Sequence, residues 1–136
     1  MLETILRALA VSCAALALLG VPQVHAGEPA EDADAVRRGK LLFVLQCRAC
    51  HEVAVGQPHK VGPNLHGLID RPAAAAGDFV YSQALADSGM TWDVATLDRW
   101  LDRPGAVVAG TTMAYAGMPS AADPSAVIAY LAQATR

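Results

Sequence analysis

The sequence predicts a single all-α domain, and three observations support this fold class. Apolar residues recur at helical spacing near both ends of the chain. No run is rich enough in β-branched and aromatic residues to supply a β-sheet. Residues 47–51 read Cys-x-x-Cys-His, a pattern whose side chains reach one face when they lie on a helical turn.

The first 26 residues are interpreted as a Sec-type signal peptide. Arg7 precedes an apolar run at 8–21 that is too short to span a membrane. Val24 and Ala26 are small residues at the two positions that a signal peptidase recognises before its cleavage site. Cleavage after Ala26 would leave residues 27–136, and retention of the segment as an anchor is the alternative.

The first helix is expected to begin after a flexible acidic lead-in at residues 27–33. Asp34 is a candidate N-cap, so the domain is predicted to span 34–136. The apolar side of this helix would be formed by Val36, Gly39, Phe43 and Val44. Glycine in a helix costs about 1 kcal/mol relative to alanine, so Gly39 suggests the close approach of another helix.

The partner helix is predicted at the other end of the chain. Asp123 followed by Pro124 is a typical start signal, a cap and then proline at the first helical position. Its apolar residues are Val127, Ile128, Tyr130 and Leu131. The two terminal helices are therefore expected to cross at Gly39.

Two shorter helices are predicted between the terminal ones. Asp93 begins a segment that ends at Pro104. Its apolar stripe comprises Val94, Leu97, Trp100 and Leu101. A second helix is predicted at 82–87, ended by Gly89. The stretches 56–71 and 105–117 are expected to be loops.

The spacing of Cys47, Cys50 and His51 is the attachment signature of a c-type haem. Both thiols can bond to one porphyrin while the imidazole meets its iron. A zinc site would need two more ligands, but His59 and His66 are not closely paired. A thioredoxin-like motif would need a βαβ unit, which the chain does not predict. We therefore predict one covalently attached haem c.

A second axial ligand could come from one of three methionines. A neutral thioether favours reduced iron and raises the reduction potential. Met113 lies in a Gly-Thr-Thr loop far along the chain from Cys47, and Met118 precedes a proline that could hold a ligand loop rigid. Met90 is more typical of core packing. The residues alone leave Met113 and Met118 open.

Charge and cysteine content limit the partners and the stabilising bonds. Residues 27–136 contain 12 acidic and 9 basic side chains, so nucleic acid is not expected as a ligand. Cys47 and Cys50 are their only cysteines, and attachment to haem leaves no structural disulfide.

The chain from about residue 34 onward resembles class I cytochromes c of the mitochondrial and bacterial c2 type. The matching positions run in the family's order: Cys47-Arg48-Ala49-Cys50-His51, Gly62-Pro63-Asn64-Leu65-His66-Gly67-Leu68, Arg71, Phe79, Tyr81, Gly89, Thr91-Trp92, Leu97, Pro104, Gly110-Thr111, Met113 and Ile128-Ala129-Tyr130-Leu131. The resemblance implies loops wrapped around one covalently bound haem.

The resemblance also implies residue roles. His51 and Met113 would be the axial ligands, and the spacing favours Met113 over Met118. The Pro63 carbonyl would orient His51. The buried propionate would be held by Arg71, Tyr81 and Trp92. Trp100 would lie beside the methionine sulfur, and Thr111 would close the propionate side.

The implied function is that of an electron carrier rather than an enzyme. It would be a monomer exported to the periplasm, without stable membrane insertion, passing single electrons between redox proteins. Donors and acceptors of this kind include a cytochrome bc1-type complex, a dehydrogenase or a terminal oxidase. The alternatives are a haem subunit of a larger oxidoreductase complex and a haem peroxidase or ligand sensor. The family's lysine ring is missing, since residues 27–136 contain only Lys40 and Lys60. We therefore expect a largely neutral contact with partners.

Overall fold

The computed structural model describes the backbone of residues 28–136 and the side chains from residue 33 onward. The predicted signal peptide, residues 1–26, lies outside the described residues. Five helices follow in chain order: α1 Glu28–Gln46, α2 Gln83–Ala86, α3 Val94–Asp102, α4 Pro104–Val107 and α5 Ala122–Ala134. Between residues 28 and 136 there is no strand, and the isolated bridge joins Pro72 to Thr91. The all-α prediction is confirmed.

The terminal helices α1 and α5 cross at Gly39, as predicted. A Cβ atom built on Gly39 would lie 1.9 Å from the carbonyl oxygen of Ala126 and 2.9 Å from Cβ of Tyr130. Close by, the rings of Phe43 and Tyr130 pack with their centroids 5.4 Å apart. Glycine is therefore required here because the two backbones approach too closely for any side chain.

The predicted N-caps of both terminal helices are wrong. Helix α1 already begins at Glu28, and Asp34 lies within it, paired with Arg37. The sequence is compatible with this earlier start, since Pro29 falls in the first turn, where a missing N–H does no harm. The flexibility expected of residues 27–33 stays a prediction.

Helix α5 begins two residues earlier than predicted. Ala121 is its N-cap residue, and Asp123 lies in the first turn, where a negative charge is favourable. The Asp123 carboxylate accepts hydrogen bonds from Arg38, including one from Nε at 3.2 Å. Asp123 thus links the two terminal helices instead of capping one. The buried residues of α5 are Pro124, Ala126, Val127, Ile128 and Leu131.

The signals predicted for α3 are confirmed at both ends. The Asp93 carboxylate caps the helix by accepting a hydrogen bond from the backbone N–H of Thr96 at 2.7 Å. Pro104 follows the last turn, but it also begins α4, so the predicted loop starts with a short helix. Three members of the apolar stripe are buried: Leu97, Trp100 and Leu101.

Two apolar positions predicted to face the core are exposed. Val94 is 60% exposed because it is the first residue of α3, a turn before the buried part of the stripe. Val44 is 43% exposed, and the core contact of that turn is made by its neighbour Phe43. The shorter helix α2 is confirmed, with Ser82 as its N-cap and Gly89 in the left-handed region at φ 63°.

None of the helices between residues 28 and 136 is long and apolar enough to cross a bilayer.

Candidate functional site

An open cavity lies between the terminal helices, α3 and the long loops. Its volume is about 1260 Å³, including the open space at its entrance. The walls are largely buried apolar side chains, among them Phe43, Leu68, Leu85, Leu97, Leu101, Val127 and Leu131. A concave site with mostly apolar walls is suited to a large planar cofactor.

The Cys47–His51 segment forms a helical turn at the wall of this cavity. It continues from α1 through hydrogen bonds from the Cys47 N–H to the Phe43 carbonyl and from the His51 N–H to the Cys47 carbonyl, at 2.8 and 2.9 Å. Cys47, Cys50 and His51 all line the cavity, and both thiols are free. Burial, with a smaller contribution from Cys50, raises the pKa of the Cys47 thiol to about 11. The turn thus presents two thiols and an imidazole to one space.

The His51 ring is held in one orientation. Its Nδ1 lies 2.8 Å from the Pro63 carbonyl oxygen, which can only accept, so Nδ1 carries the proton. Burial lowers the pKa of His51; the bond to Pro63 acts in the opposite direction, and Lys60 adds slightly to the lowering. A neutral ring that donates from Nδ1 has a free lone pair on Nε2, which is the form that binds metals.

Gly62 makes room for this ring. A Cβ atom at Gly62 would lie 2.3 Å from Cε1 of His51 and 2.8 Å from both ring nitrogens. The Gly62 N–H also donates to the Cys50 carbonyl at 2.9 Å, which joins the two loops. Sequence reasoning named Gly62 only as part of the family pattern. Its position directly before Pro63 was the available signal.

Arg71 brings a buried donor to the cavity. Its Nη1 donates to the His66 carbonyl at 2.8 Å, whereas its buried Nε has no hydrogen-bond partner among the described residues. Tyr81 and Trp92 line the same cavity. Burial raises the pKa of Tyr81, and Arg71 opposes this effect. A guanidinium whose buried Nε is a free donor fits an anionic group such as a haem propionate.

The cavity lining brings together every site residue predicted from the sequence. Trp92 and Trp100 meet edge to face there, with ring centroids 5.1 Å apart, and both are buried. Thr111 lines the cavity and accepts a hydrogen bond from the Met113 N–H at 3.3 Å. The full set comprises Cys47, Cys50, His51, Pro63, Arg71, Tyr81, Trp92, Trp100, Thr111 and Met113.

The three methionines occupy different environments. Met113 is half-buried and lines the cavity. Met118 is 1% exposed within the hydrophobic core, away from the cavity lining, and its N–H donates to the Leu101 carbonyl at 2.9 Å. Met90 packs against the core. Of the three, Met113 is the one whose side chain has access to the cavity.

Two histidines outside the motif organise the loop around the site. The His59 ring bridges two partners: Nε2 lies 2.7 Å from an Asp78 carboxylate oxygen, and Nδ1 accepts from the Asn64 N–H at 2.8 Å. Asn64, which is buried, donates to the carbonyls of Ala54 and Gln57 at 2.8 Å. His66 is half-buried, and its Nδ1 is buried without a hydrogen-bond partner among the described residues. The sequence did not predict that Asn64 holds this loop together. The available signal, a polar residue in a loop rich in glycine and proline, is weak.

The fold and the site together define a c-type cytochrome. The fold is all-α and surrounds an apolar cavity. The cavity wall carries a Cys-x-x-Cys-His turn, a neutral histidine and an unpaired arginine donor. Comparisons with known proteins agree. The chain is 42% identical to cytochrome c2 of Rhodoblastus acidophilus over 95 residues, which cover 70% of this chain and 88% of that protein. It is 35% identical to cytochrome c of Kluyveromyces lactis over 100 residues, covering 74% and 91%. It is 38% identical to cytochrome c2 of Rhodomicrobium vannielii over 117 residues, covering 86% and 92%. No protein-family model matches the chain.

The chain belongs to the cytochrome c family, as a class I c-type cytochrome of the cytochrome c and c2 type. It is accordingly an electron carrier rather than an enzyme, with one covalently attached haem.

Proposed function

We propose that this cytochrome carries single electrons between redox proteins through an iron held by His51 and Met113. The observation that carries the proposal is that both side chains line one cavity together with Cys47 and Cys50. A bound haem supplies a one-electron iron couple. The protein's contribution is to fix the ligands, exclude water and present an edge of the site to partners.

The ligand roles follow from the local chemistry. Cys47 and Cys50 supply the two thioether bonds, which keep the cofactor in place when the fold opens. His51 offers Nε2 because Pro63 holds the proton on Nδ1. The neutral Met113 thioether favours reduced iron and so raises the potential. Arg71, Tyr81 and Trp92 would hold the propionate side, Thr111 would close it, and Trp100 would lie beside the Met113 sulfur.

We further propose export to a bacterial periplasm. The proposal is supported by the signal-like residues 1–26 and by the similarity to bacterial cytochromes c2. Cleavage after Ala26 would then leave the lead-in at 27–33 and the haem domain at 34–136. Protein secreted by a host that assembles c-type cytochromes should have the mass of residues 27–136 plus one haem. A retained leader would contradict cleavage, and holoprotein that stays in the cytoplasm would contradict export.

The partners that we propose for the monomer are a donor and an acceptor such as a bc1-type complex, a dehydrogenase or a terminal oxidase. They would meet it at the cavity mouth, defined by the four exposed residues that line the cavity. These residues are Gln46, Val61, Thr112 and Ala114, and all are uncharged. Lys60 is engaged by Glu52 at 2.6 Å and by the Arg48 carbonyl at 2.8 Å. The contact with a partner is therefore largely neutral.

Paired leucine variants test the iron ligand. Leucine is close to methionine in volume, so Met113→Leu and Met118→Leu remove sulfur without opening a large cavity. In Met113→Leu holoprotein, we expect loss of the thioether–iron absorption and of the shifted methionine NMR signals, and a lower reduction potential. Met118→Leu should keep all three properties. If the signals survive in Met113→Leu and vanish in Met118→Leu, the ligand assignment is wrong.

A further inference from the structure

One hydrogen bond joins the end of α1 to the loop between α4 and α5. The Tyr115 hydroxyl donates to Oε1 of Gln46 at 2.6 Å, between residues 69 positions apart in the chain. Gln46 is the last residue of α1, directly before Cys47. Tyr115 follows Met113 by two residues, and both lie in the loop between α4 and α5. The bond therefore spans from the haem-attachment turn to the loop that carries the sixth ligand.

The other hydrogen bonds of this loop are local. The Thr111 N–H donates to the Val108 carbonyl at 3.2 Å, and the Tyr115 N–H donates to the Met113 carbonyl at 2.9 Å. Beyond Tyr115, the next hydrogen bond from this loop to another helix is donated by the Met118 N–H to the Leu101 carbonyl of α3. Among side chains from residue 33 onward, Tyr115 thus supplies the hydrogen bond that ties the stretch 111–115 to a separate element.

A glycine flanks this stretch on each side, and Gly110 at its start can absorb a change in backbone direction. Gly110 has a φ of 91° and Gly117 a φ of 106°, both in the left-handed region. Gly117 is also held tightly, because a Cβ there would lie 1.8 Å from the Asp102 carbonyl oxygen. Residues that absorb backbone changes at loop ends are typical hinges. The loop is therefore held at Gly117, near its C-terminal end. The position of the part that contains Met113 depends on the hydrogen bond from Tyr115 to Gln46.

We propose that the Tyr115–Gln46 hydrogen bond is a latch that holds the Met113 loop over the haem cavity. Tyr115 and Gln46 are positioning residues, which act through Met113 and do not bind the iron. The inference rests on the proposed function, since the latch matters only where Met113 is the ligand. Displacement of Met113 by an external ligand requires the loop to open, and opening breaks this bond. The latch therefore makes the sixth position harder to vacate.

Imidazole binding to the ferric holoprotein at one fixed pH tests the latch. A hydrogen bond of this kind contributes enough that its loss should raise imidazole affinity by about two- to tenfold. Tyr115→Phe removes the hydroxyl and keeps the ring, which packs against the core. Gln46→Leu removes the acceptor at an exposed position. We expect similar gains for both variants, and for the double variant no more than for either alone.

Tyr130→Phe is the matched control, because this tyrosine packs on Phe43 at the helix crossing. Its imidazole affinity should equal that of the parent protein. Unchanged affinity in Tyr115→Phe, or gains that add in the double variant, would overturn the latch. The spectra of Met113→Leu separate this outcome from failure of the proposed function. If Met113 is not the ligand those spectra stay unchanged, whereas a missing latch leaves Met113 bound in the parent protein.

Discussion

The orientation of His51 depends on a neighbour that has no side chain. The ring lies against Gly62 and reaches the Pro63 carbonyl at 2.8 Å. Adjacent backbone thus supplies both the space and the hydrogen-bond acceptor that define the tautomer. Because that acceptor is a fixed carbonyl, the free nitrogen is Nε2. Burial lowers the pKa of the ring against the opposing effect of that hydrogen bond. At the scale of single residues, the site is built by backbone as much as by side chains.

Gly62→Ala should displace the His51 ring, since the new methyl group would lie 2.3 Å from Cε1. Overpacking of this kind typically costs about 1–3 kcal/mol. We expect a lower free energy of unfolding for the holoprotein in denaturant titrations, together with altered haem absorption. Gly77→Ala is the control because nothing lies within 4 Å of its Cβ position. Equal unfolding free energies for the two variants would contradict this prediction, because they would show that the His51 ring can move aside without loss of stability.

The crossing of α1 and α5 is the main contact between elements, and it closes one side of the haem cavity. Phe43 of α1 and both Val127 and Leu131 of α5 line that cavity. Arg38 and Asp123 also bridge the helices, but Arg38 is more than half exposed, so this pair contributes at most about 1 kcal/mol. Close backbone approach at Gly39, rather than charge pairing, holds the two helices together.

Gly39→Ala should separate the two helices, because its methyl group would overlap the Ala126 carbonyl. Backbone cannot rotate away as a flexible side chain can, so we expect a loss of at least about 1–3 kcal/mol in unfolding free energy. Denaturant unfolding of the holoprotein, followed by circular dichroism, measures this loss. Gly105→Ala provides the comparison, as its Cβ position is open. A variant as stable as Gly105→Ala would mean that the helices can shift apart freely.

The whole molecule combines a mildly acidic chain with an uncharged entrance to its redox site. Residues 27–136 carry a formal net charge of −3, yet all four residues of the cavity mouth are neutral. Long-range steering depends on a local field of one sign near the docking face. Such a field is weak here, so association should depend mainly on short-range contact.

Electron-transfer rates should therefore vary little with salt. With a purified bacterial bc1-type complex as donor, we expect less than about a threefold change between about 0.01 M and about 0.5 M ionic strength. Thr112→Lys and Ala114→Lys place charge at the cavity mouth and should make the rate clearly salt-dependent. A steep fall in the rate of the parent protein, comparable to that of the lysine variants, would contradict the neutral contact.

Features that depend on neighbours a few residues apart could be predicted from the amino-acid sequence. The haem-attachment turn, the Asp93 cap and the proline after α3 each rest on local spacing or a local hydrogen bond. Gly39 was a sequence-level sign of the crossing, because an interior helical glycine is costly unless something lies against it. The family pattern then allowed the site residues to be named before their geometry was known.

Tertiary structure decided what local patterns leave open. It placed Met113 at the cavity and Met118 in the core, exposed Val94 and turned Asp123 into a link between helices. It also joined Tyr115 to Gln46 across 69 positions. Contacts between distant segments depend on how all elements pack together. They cannot be predicted from a residue's neighbours in the chain, because those neighbours do not determine this packing.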